Sequence, residues 1–537
     1  MMNTLSIRRA AAAAASAALV AMTLAACGGA ADASRTDPNT LQILAGSEVQ
    51  DMAPVLDAAA KATGVKVRFD YSGTLDGAQT VASGAADGKY DAVWFPSNRY
   101  LSLLPDAKDK LATTTKIMQS PVILGVKASV ASRLGWDKSA PTWAGVEAAV
   151  AKGDFKYGMT SPAASNSGFS ALVAVGTALA NTGNALTTAD ITKATPALKS
   201  FFSGQKLTAG SSGWLASKVA QDPSAVDGVV NYESVLMSMD PNALGEPLTL
   251  VTPADGVIFA DYPFSVLNSA NADKKAKADK LVAWLTSPEG QAAIMDTTHR
   301  RPGVAGTDTD TRFPKTALIE QPFPNTLDVT NDLITTYLST IRRPGKTLYS
   351  LDLSGSMGGD RLAQLKKSLK NLAGSDTSTT GSFASFQNRE QVTFIPFSDQ
   401  VQNVQHFTIP EKDKASELAR ISGAVDGMQA GGGTAIYSSL EQAYREAASQ
   451  VADDPNAFTS IVLMTDGENN AGDDFNGFTR YYNSLGGAVK KVPVFVIIFG
   501  EGNPKELQNL AALTGGKAFD ARKSDLNSVF REIRGYQ

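Results

Sequence analysis

The sequence predicts an α/β protein made of two successive modules, and three observations carry that expectation. Short apolar strands alternate with helical segments along most of the chain, the pattern of mostly parallel sheets. The middle strands of the last third are continuous apolar runs, as in sheets covered on both faces. The chain has 537 residues, 43% apolar and 19% charged, which suffices for several cores and excludes a disordered, collagen-like or coiled-coil polymer. One cysteine excludes an intrachain disulfide framework and a cysteine-based metal cage. Two histidines, His299 and His406, exclude a histidine-rich site. A net charge of −4 provides no bulk attraction for nucleic acid.

Residues 1–26 read as a removable signal: Arg8 and Arg9 precede an Ala/Leu/Val-rich run that is short for a membrane span. Leu24-Ala25-Ala26-Cys27 resembles a bacterial lipobox. That resemblance implies lipidation of Cys27 and an acyl anchor on the extracytoplasmic face of a bacterial membrane. Residues 27–40 form a polar, small-residue tether. Ser6-Ile7-Arg8-Arg9-Ala10 fits a twin-arginine export motif poorly, so the export route stays open.

The first folded module is expected over residues 41–320. Residues 41–45 form a strand, and Ser47 can cap a helix over 48–63. Strands follow at 65–71 and 90–95, with Ser72-Gly73-Thr74 opening a helix between them. A similar set follows: strand 122–127, helix 143–151, strand 157–160 and a helix after Gly168. Strands at 229–232, 248–251 and 257–259 come next, then helices at 274–286 and 287–295. The opening Leu41-Gln42-Ile43-Leu44-Ala45-Gly46-Ser47, Gly64-Val65-Lys66-Val67 before Tyr71-Ser72-Gly73, Ser287-Pro288-Glu289-Gly290-Gln291 and Arg301-Pro302-Gly303 together resemble class II bacterial extracellular solute-binding proteins. The resemblance implies two α/β lobes joined by crossing strands, with a ligand between them where helix N-termini supply free N–H donors. Candidate cleft residues are Ser47, Ser72, Gly73, Ser161, Ser165, Asn166, Ser167, Tyr232 and Glu233. Hydroxyls and amides without Arg or Lys suit a small oxyanion or a neutral polar solute. Glu233 in the cleft suits a cation or amine instead. The same serines and threonines serve equally as plain helix caps.

Residues 321–345 read as a linker, with a helix at 332–341 and a hinge at Arg342-Arg343-Pro344-Gly345. The second module, 346–537, repeats the strand–helix alternation. Strands are expected at 347–352, 391–397, 460–465, 492–499 and 517–519. Helices are expected at 361–372, 412–425, 436–450, 476–486, 504–513 and 526–533. This is a doubly wound domain, whose ligands lie at the carboxyl ends of the strands. There the chain carries Asp352-Leu353-Ser354-Gly355-Ser356, then Gly431-Gly432-Gly433-Thr434, then Thr465-Asp466-Gly467-Glu468. Alternation lets Asp352, Ser354 and Ser356 point the same way. With Thr434 and Asp466 they make a five-oxygen set lacking nitrogen and sulfur, suited to Mg²⁺ with Mn²⁺ as substitute. The order Asp-x-Ser-x-Ser, Thr, Asp resembles the metal-ion-dependent adhesion site of von Willebrand factor type A domains. The resemblance implies that Ser354, Ser356 and Thr434 bind metal directly or nearly so, with Asp352 and Asp466 acting through water. A partner's Asp or Glu then completes the octahedron. Glu468-Asn469-Asn470 reads as solvated loop, and His299-Arg300-Arg301 as an exposed basic turn.

No Gly-x-Ser-x-Gly elbow or histidine-based triad is evident, so the expectation is a binding protein, not an enzyme. The leading expectation is a membrane-anchored extracytoplasmic protein that captures a protein partner through its Mg²⁺ site. The alternative is a solute receptor of an ABC-type transporter with the C-terminal module as accessory.

Overall fold

The computed structural model describes residues 37–313, 318–500, 503–522 and 526–536. The signal segment, Cys27 and most of the tether lie outside these residues. No helix among the described residues is long and apolar enough to cross a membrane.

The N-terminal module has two lobes, each built on its own sheet. In the first, the strands run in the order Lys66–Tyr71, Thr40–Ala45, Ala92–Trp94, Pro263–Leu267, Leu111–Lys116. The first three pair in parallel and Pro263–Leu267 runs against them. In the second, the ten-residue strand Met118–Lys127 pairs with Gly228–Tyr232, Leu248–Val251, Phe259–Ala260 and Arg301–Pro302. Tyr157–Thr160 and Gln205–Ala209 extend that sheet in parallel. The chain crosses between lobes at Ile117 and returns near Tyr262, where the Ile117 N–H donates to the Tyr262 carbonyl at 3.4 Å.

Three helices begin at the gap between the lobes: α1 (Thr74–Ala82), α2 (Asn166–Ala180) and α3 (Ser212–Gln221). Gly168 lets α2 start against its preceding strand, since a Cβ there would lie 2.3 Å from the Thr160 carbonyl oxygen. The helix expected at 48–63 is broken into a 3₁₀ turn, Ser47–Met52, and a helix, Ala53–Thr63. Pro54 falls in the first turn of the latter, where its missing N–H leaves no bond unmade. The strand Leu111–Lys116 escapes a reading by hydrophobicity because it is an edge strand of threonines, largely exposed.

The connecting segment is not a loose linker. Its helix begins earlier than expected, at Leu327–Thr336, and continues as a wider turn, Tyr337–Ile341. Leu333, Ile334 and Tyr337 are buried against the N-terminal core, with the Tyr337 ring edge-on to Phe202 at 5.0 Å. The expected hinge is pinned as well: the Arg342 guanidinium is buried and bonded to Glu390 of the next module.

The C-terminal module is a six-stranded sheet with β1 (Gly345–Asp352), β2 (Gln391–Phe397), β3 (Gln405–Thr408), β4 (Phe458–Thr465), β5 (Val494–Ile498) and β6 (Ala518–Asp520). The spatial order is β3-β2-β1-β4-β5-β6, parallel except for the edge strand β3. Every residue of β1 and β5 is buried, as in a sheet covered on both faces; β5 is an unbroken apolar run, whereas β1 also buries Lys346, Thr347, Ser350 and Asp352. Helices α4 (Asp360–Lys370) and α5 (Thr379–Ala384) follow β1, α6 (Ile436–Asp453) precedes β4, and α7 (Leu526–Arg534) ends the fold. Two apolar cores result, one on each face. Because β1 and β4 are neighbours, the loops leaving their carboxyl ends open side by side.

Candidate functional site

Asp352 is the last residue of β1 and is fully buried. Its Oδ1 accepts the Ser354 N–H at 2.8 Å and its Oδ2 accepts the Thr465 hydroxyl at 2.6 Å, so both oxygens are held. The Ser354 and Ser356 hydroxyls lie 3.0 Å apart, and Ser356 donates to Asp466 Oδ1 at 2.8 Å. The second loop is tied to the first by Gly355 N–H donating to the Gly432 carbonyl at 3.0 Å and Gly431 N–H to the Leu353 carbonyl at 2.8 Å. A Cβ on Gly467 would sit 3.6 Å from Thr434 Oγ1 and 3.7 Å from Ser356 Oγ. Hydroxyls from two loops thus face one small space that a glycine leaves free. All five sequence-predicted residues come together here.

Two electrostatic features of this cradle work against a bound cation, whereas the donor types suit one. Burial raises the Asp352 carboxyl above its ordinary range; the Thr465 and Ser354 bonds oppose that, while the charge of Asp466 adds to it. The Arg361 guanidinium, from the first turn of α4, is hydrogen-bonded to Asp466 Oδ2 and so brings positive charge to the rim. The donor set, all oxygen and mostly neutral, fits a hard divalent ion such as Mg²⁺.

Three residues of this site were missed in the sequence. Thr465 looks like any β-branched strand residue, Arg361 like a helix surface residue, and Asn470 like solvated loop. Asn470 is in fact structural: its Oδ1 accepts the Thr434 N–H at 2.7 Å. The Asp-x-Ser-x-Ser signal gave no hint of them.

Between the lobes lies a cavity of about 1240 Å³. Ser47, Ser72, Gly73, Ser165 and Asn166 line it. Helices α1, α2 and α3 start at its wall, and none carries a side-chain cap on its first turn. Elsewhere in the module Thr142, Thr187, Asn271 and Ser287 do cap their helices. Ser161, Ser167 and Tyr232 form the layer beneath the cavity. Ser167 shares hydrogen bonds with Thr160 at 2.7 Å and Ser212 at 2.9 Å, and the Tyr232 hydroxyl accepts from Asn166 at 3.0 Å.

Two expectations are corrected here. Glu233 does not present charge to the cleft: it is fully buried, and Arg301 holds it in a two-pronged pair at 2.7 and 2.9 Å. The His299-Arg300-Arg301 segment is not an exposed turn. Arg300 is 1% exposed, donates to Asp51 at 2.7 and 2.8 Å and to the Glu48 carbonyl at 2.7 Å, and stacks on Tyr262 at 4.7 Å. The cleft wall therefore contains a guanidinium where hydroxyls alone were expected. Burial pushes the Tyr262 hydroxyl up to about 12, so that group stays protonated beside Arg300.

Comparison with known proteins finds a family-model match in each module. Residues 41–297 match the family model described as bacterial extracellular solute-binding protein, and residues 350–532 match that of the von Willebrand factor type A domain. The two matches fall one on each module, a solute-binding-protein model on the first and a von Willebrand factor type A model on the second. No curated protein matches it. Among solved structures it is similar to the ferric binding protein from Campylobacter jejuni, at 14% identity and TM-score 0.41, covering 55% of this chain and 98% of that one. It is also similar to the periplasmic binding protein AfuA from Actinobacillus pleuropneumoniae, at 17% identity and TM-score 0.42, covering 56% and 98%. A von Willebrand factor type A structure from Catenulispora acidiphila aligns at 21% identity and TM-score 0.29, covering 36% of this chain and 42% of that one.

Proposed function

We propose that this is a membrane-anchored extracytoplasmic binding protein, not an enzyme, that captures a protein partner through an acidic side chain at a Mg²⁺ site in its C-terminal domain. The observation that carries the reading is the convergence of three hydroxyls and two buried carboxylates from three separate loops on one space. Ser354, Ser356 and Thr434 would hold the ion, supported by Asp352 and Asp466, with Mn²⁺ as a substitute. A bound ion supplies a centre short of negative charge, to which a carboxylate from outside is drawn. Cys27 would carry the acyl anchor. Partner capture from a cell-envelope extract is expected with Mg²⁺, to vanish with chelator and to return when Mg²⁺ is restored. Capture that ignores the chelator would sink the reading.

Arg361 competes for the same carboxylate that supports the ion. Its guanidinium is 36% exposed, so the pair is screened and contributes at most about 1 kcal/mol, or roughly fivefold in affinity. Arg361→Ala is therefore expected to bind Mg²⁺ up to about fivefold more tightly by calorimetric titration. Weaker binding would show that Arg361 positions the loop instead of competing.

A second reading, a solute receptor linked to a transporter, is favoured by the cavity between the lobes and by the three uncapped helix starts around it. It predicts that a small polar solute raises the melting temperature of the full chain by mass action. A broad panel without a shift would count against it.

A further inference from the structure

The C-terminal domain forms part of the cavity wall. On the outer side the cavity is lined by Ser378, Phe383, Lys517, Arg531 and Gly535, all from that domain. Helix α7 and the two residues after it touch both lobes. On lobe two, the Tyr536 ring, 1% exposed, stands edge-on to Trp214 at 4.6 Å. Trp214 packs against the C-terminal core and also against an apolar cluster of lobe two. Backbones meet there through small residues: a Cβ on Gly535 would lie 2.4 Å from Ala164 Cβ, in the loop that heads α2. Lys218 adds a bond to the Gly515 carbonyl at 2.6 Å. On lobe one, Arg531 faces Asp76 of α1 at 3.7 Å.

The two contacts differ in kind. The lobe-two contact is buried, aromatic and close-packed. The lobe-one contact of α7 itself is a charge pair at the rim, beyond hydrogen-bond distance, and the buried Nε of Arg531 has no hydrogen-bond partner; α5 reaches α1 beside it, with Phe383 in the N-terminal core. Such a rim pair is weak. An element held firmly on one side and loosely on the other can open at the loose side.

We propose that α7 is a lid over one side of the interlobe cleft, so that a solute enters or leaves by that side only when the C-terminal domain lifts from the lobes. The cavity, covered on that side, is then a composite site for a small, oxygen-rich polar solute. The lobes supply hydroxyls and helix N–H groups, and the lid supplies the Arg531 guanidinium. Cleft occupancy and domain docking become one coupled equilibrium, in which each strengthens the other by the same factor. The inference stands on the cavity and not on metal-dependent capture.

The test uses a wedge placed away from the metal loops. A Cβ on Gly210, in lobe two, would lie 2.8 Å from the Tyr536 ring, so Gly210→Val must displace Tyr536, which also packs on Phe495 and Phe519 of its own domain. Asp76→Arg adds repulsion toward Arg531. Hydroxyl-radical footprinting of the full chain then reads solvent access at Trp214 and, on lobe one, at Leu75 and Tyr90, which line the cavity. Modification at all three is expected to rise at least threefold in Gly210→Val, and further in the double variant. Two results would overturn the proposal. One is exposure of Trp214 with Leu75 and Tyr90 as protected as in the parent. The other is unchanged protection everywhere in the double variant, since an element that cannot be displaced is no lid. Should peptides from β1 and β4 also gain reactivity in Gly210→Val, Asp76→Arg alone decides, because Asp76 is on the surface.

Discussion

Asp352→Ala is expected to abolish stabilisation by Mg²⁺ and, with it, capture of the partner. In the parent, Mg²⁺ at a hundred times its dissociation constant should stabilise the C-terminal domain by about 2.7 kcal/mol, because the ion binds only the folded loops. In the variant that increment should fall to zero. The reason is geometric. Asp352 holds the Ser354 N–H with one oxygen and the Thr465 hydroxyl with the other, and so sets the path of the loop that carries Ser354 and Ser356. Without metal, two consequences of the substitution oppose each other. Two buried donors lose their acceptor, at about 1–3 kcal/mol each, while repulsion between Asp352 and Asp466 is removed. The metal-free melting temperature should therefore drop, by less than the two lost bonds alone would give, and the response to Mg²⁺ should vanish besides. Thermal unfolding with and without the ion separates the two. An undiminished Mg²⁺ shift in Asp352→Ala would remove this carboxylate from the site.

The cradle of oxygens was legible because its donors follow a fixed local order at strand ends, where a doubly wound sheet presents its ligands. The residues that hold those donors were not legible. Thr465 is identical in appearance to other residues of β4, and its role arises only because β4 lies beside β1. Arg361 occupies an ordinary first-turn position, and its meeting with Asp466 spans 105 residues of chain. The cleft shows the same limit. Serines at helix starts could be picked out, but whether they cap their helices is decided by side-chain rotation, and at α1, α2 and α3 they do not. Glu233 looked like a cleft acid because Arg301, its partner, lies 68 residues away. Parallel strands with apolar runs were found readily. Edge strands such as Leu111–Lys116 and β3 were missed because half-exposed polar residues carry no hydrophobic period.

Glu390→Gln is expected to be the most destabilising single substitution in the C-terminal domain. Glu390 is buried between two buried guanidiniums, Arg342 from the connecting segment and Arg534 from α7. Arg534 reaches both carboxylate oxygens at 2.8 Å, and the Gln387 N–H adds a third donor at 3.0 Å. Glutamine keeps the shape and removes the charge, leaving two buried cations without a counterion. The expected loss is about 3–5 kcal/mol, read from the urea unfolding of the domain. The same group sets an acid limit. Burial pushes the Glu390 carboxyl up, but Arg534 and Arg342 pull it down further, and it ends below the usual carboxylate range. The unfolded chain, with an ordinary glutamate near about 4.3, then takes up the proton before the folded one does. The stabilisation is complete above that value and is lost as pH falls through it and on through the lower folded value. The parent should weaken steeply below about pH 4, whereas Glu390→Gln, already weakened, should lack this contribution to the slope. A loss under about 1 kcal/mol would show that water screens the pair, as it does at the surface. A full loss would have a wider consequence. The triad ties the connecting segment to α7, so the charge that stabilises the domain also holds the helix that covers the cleft.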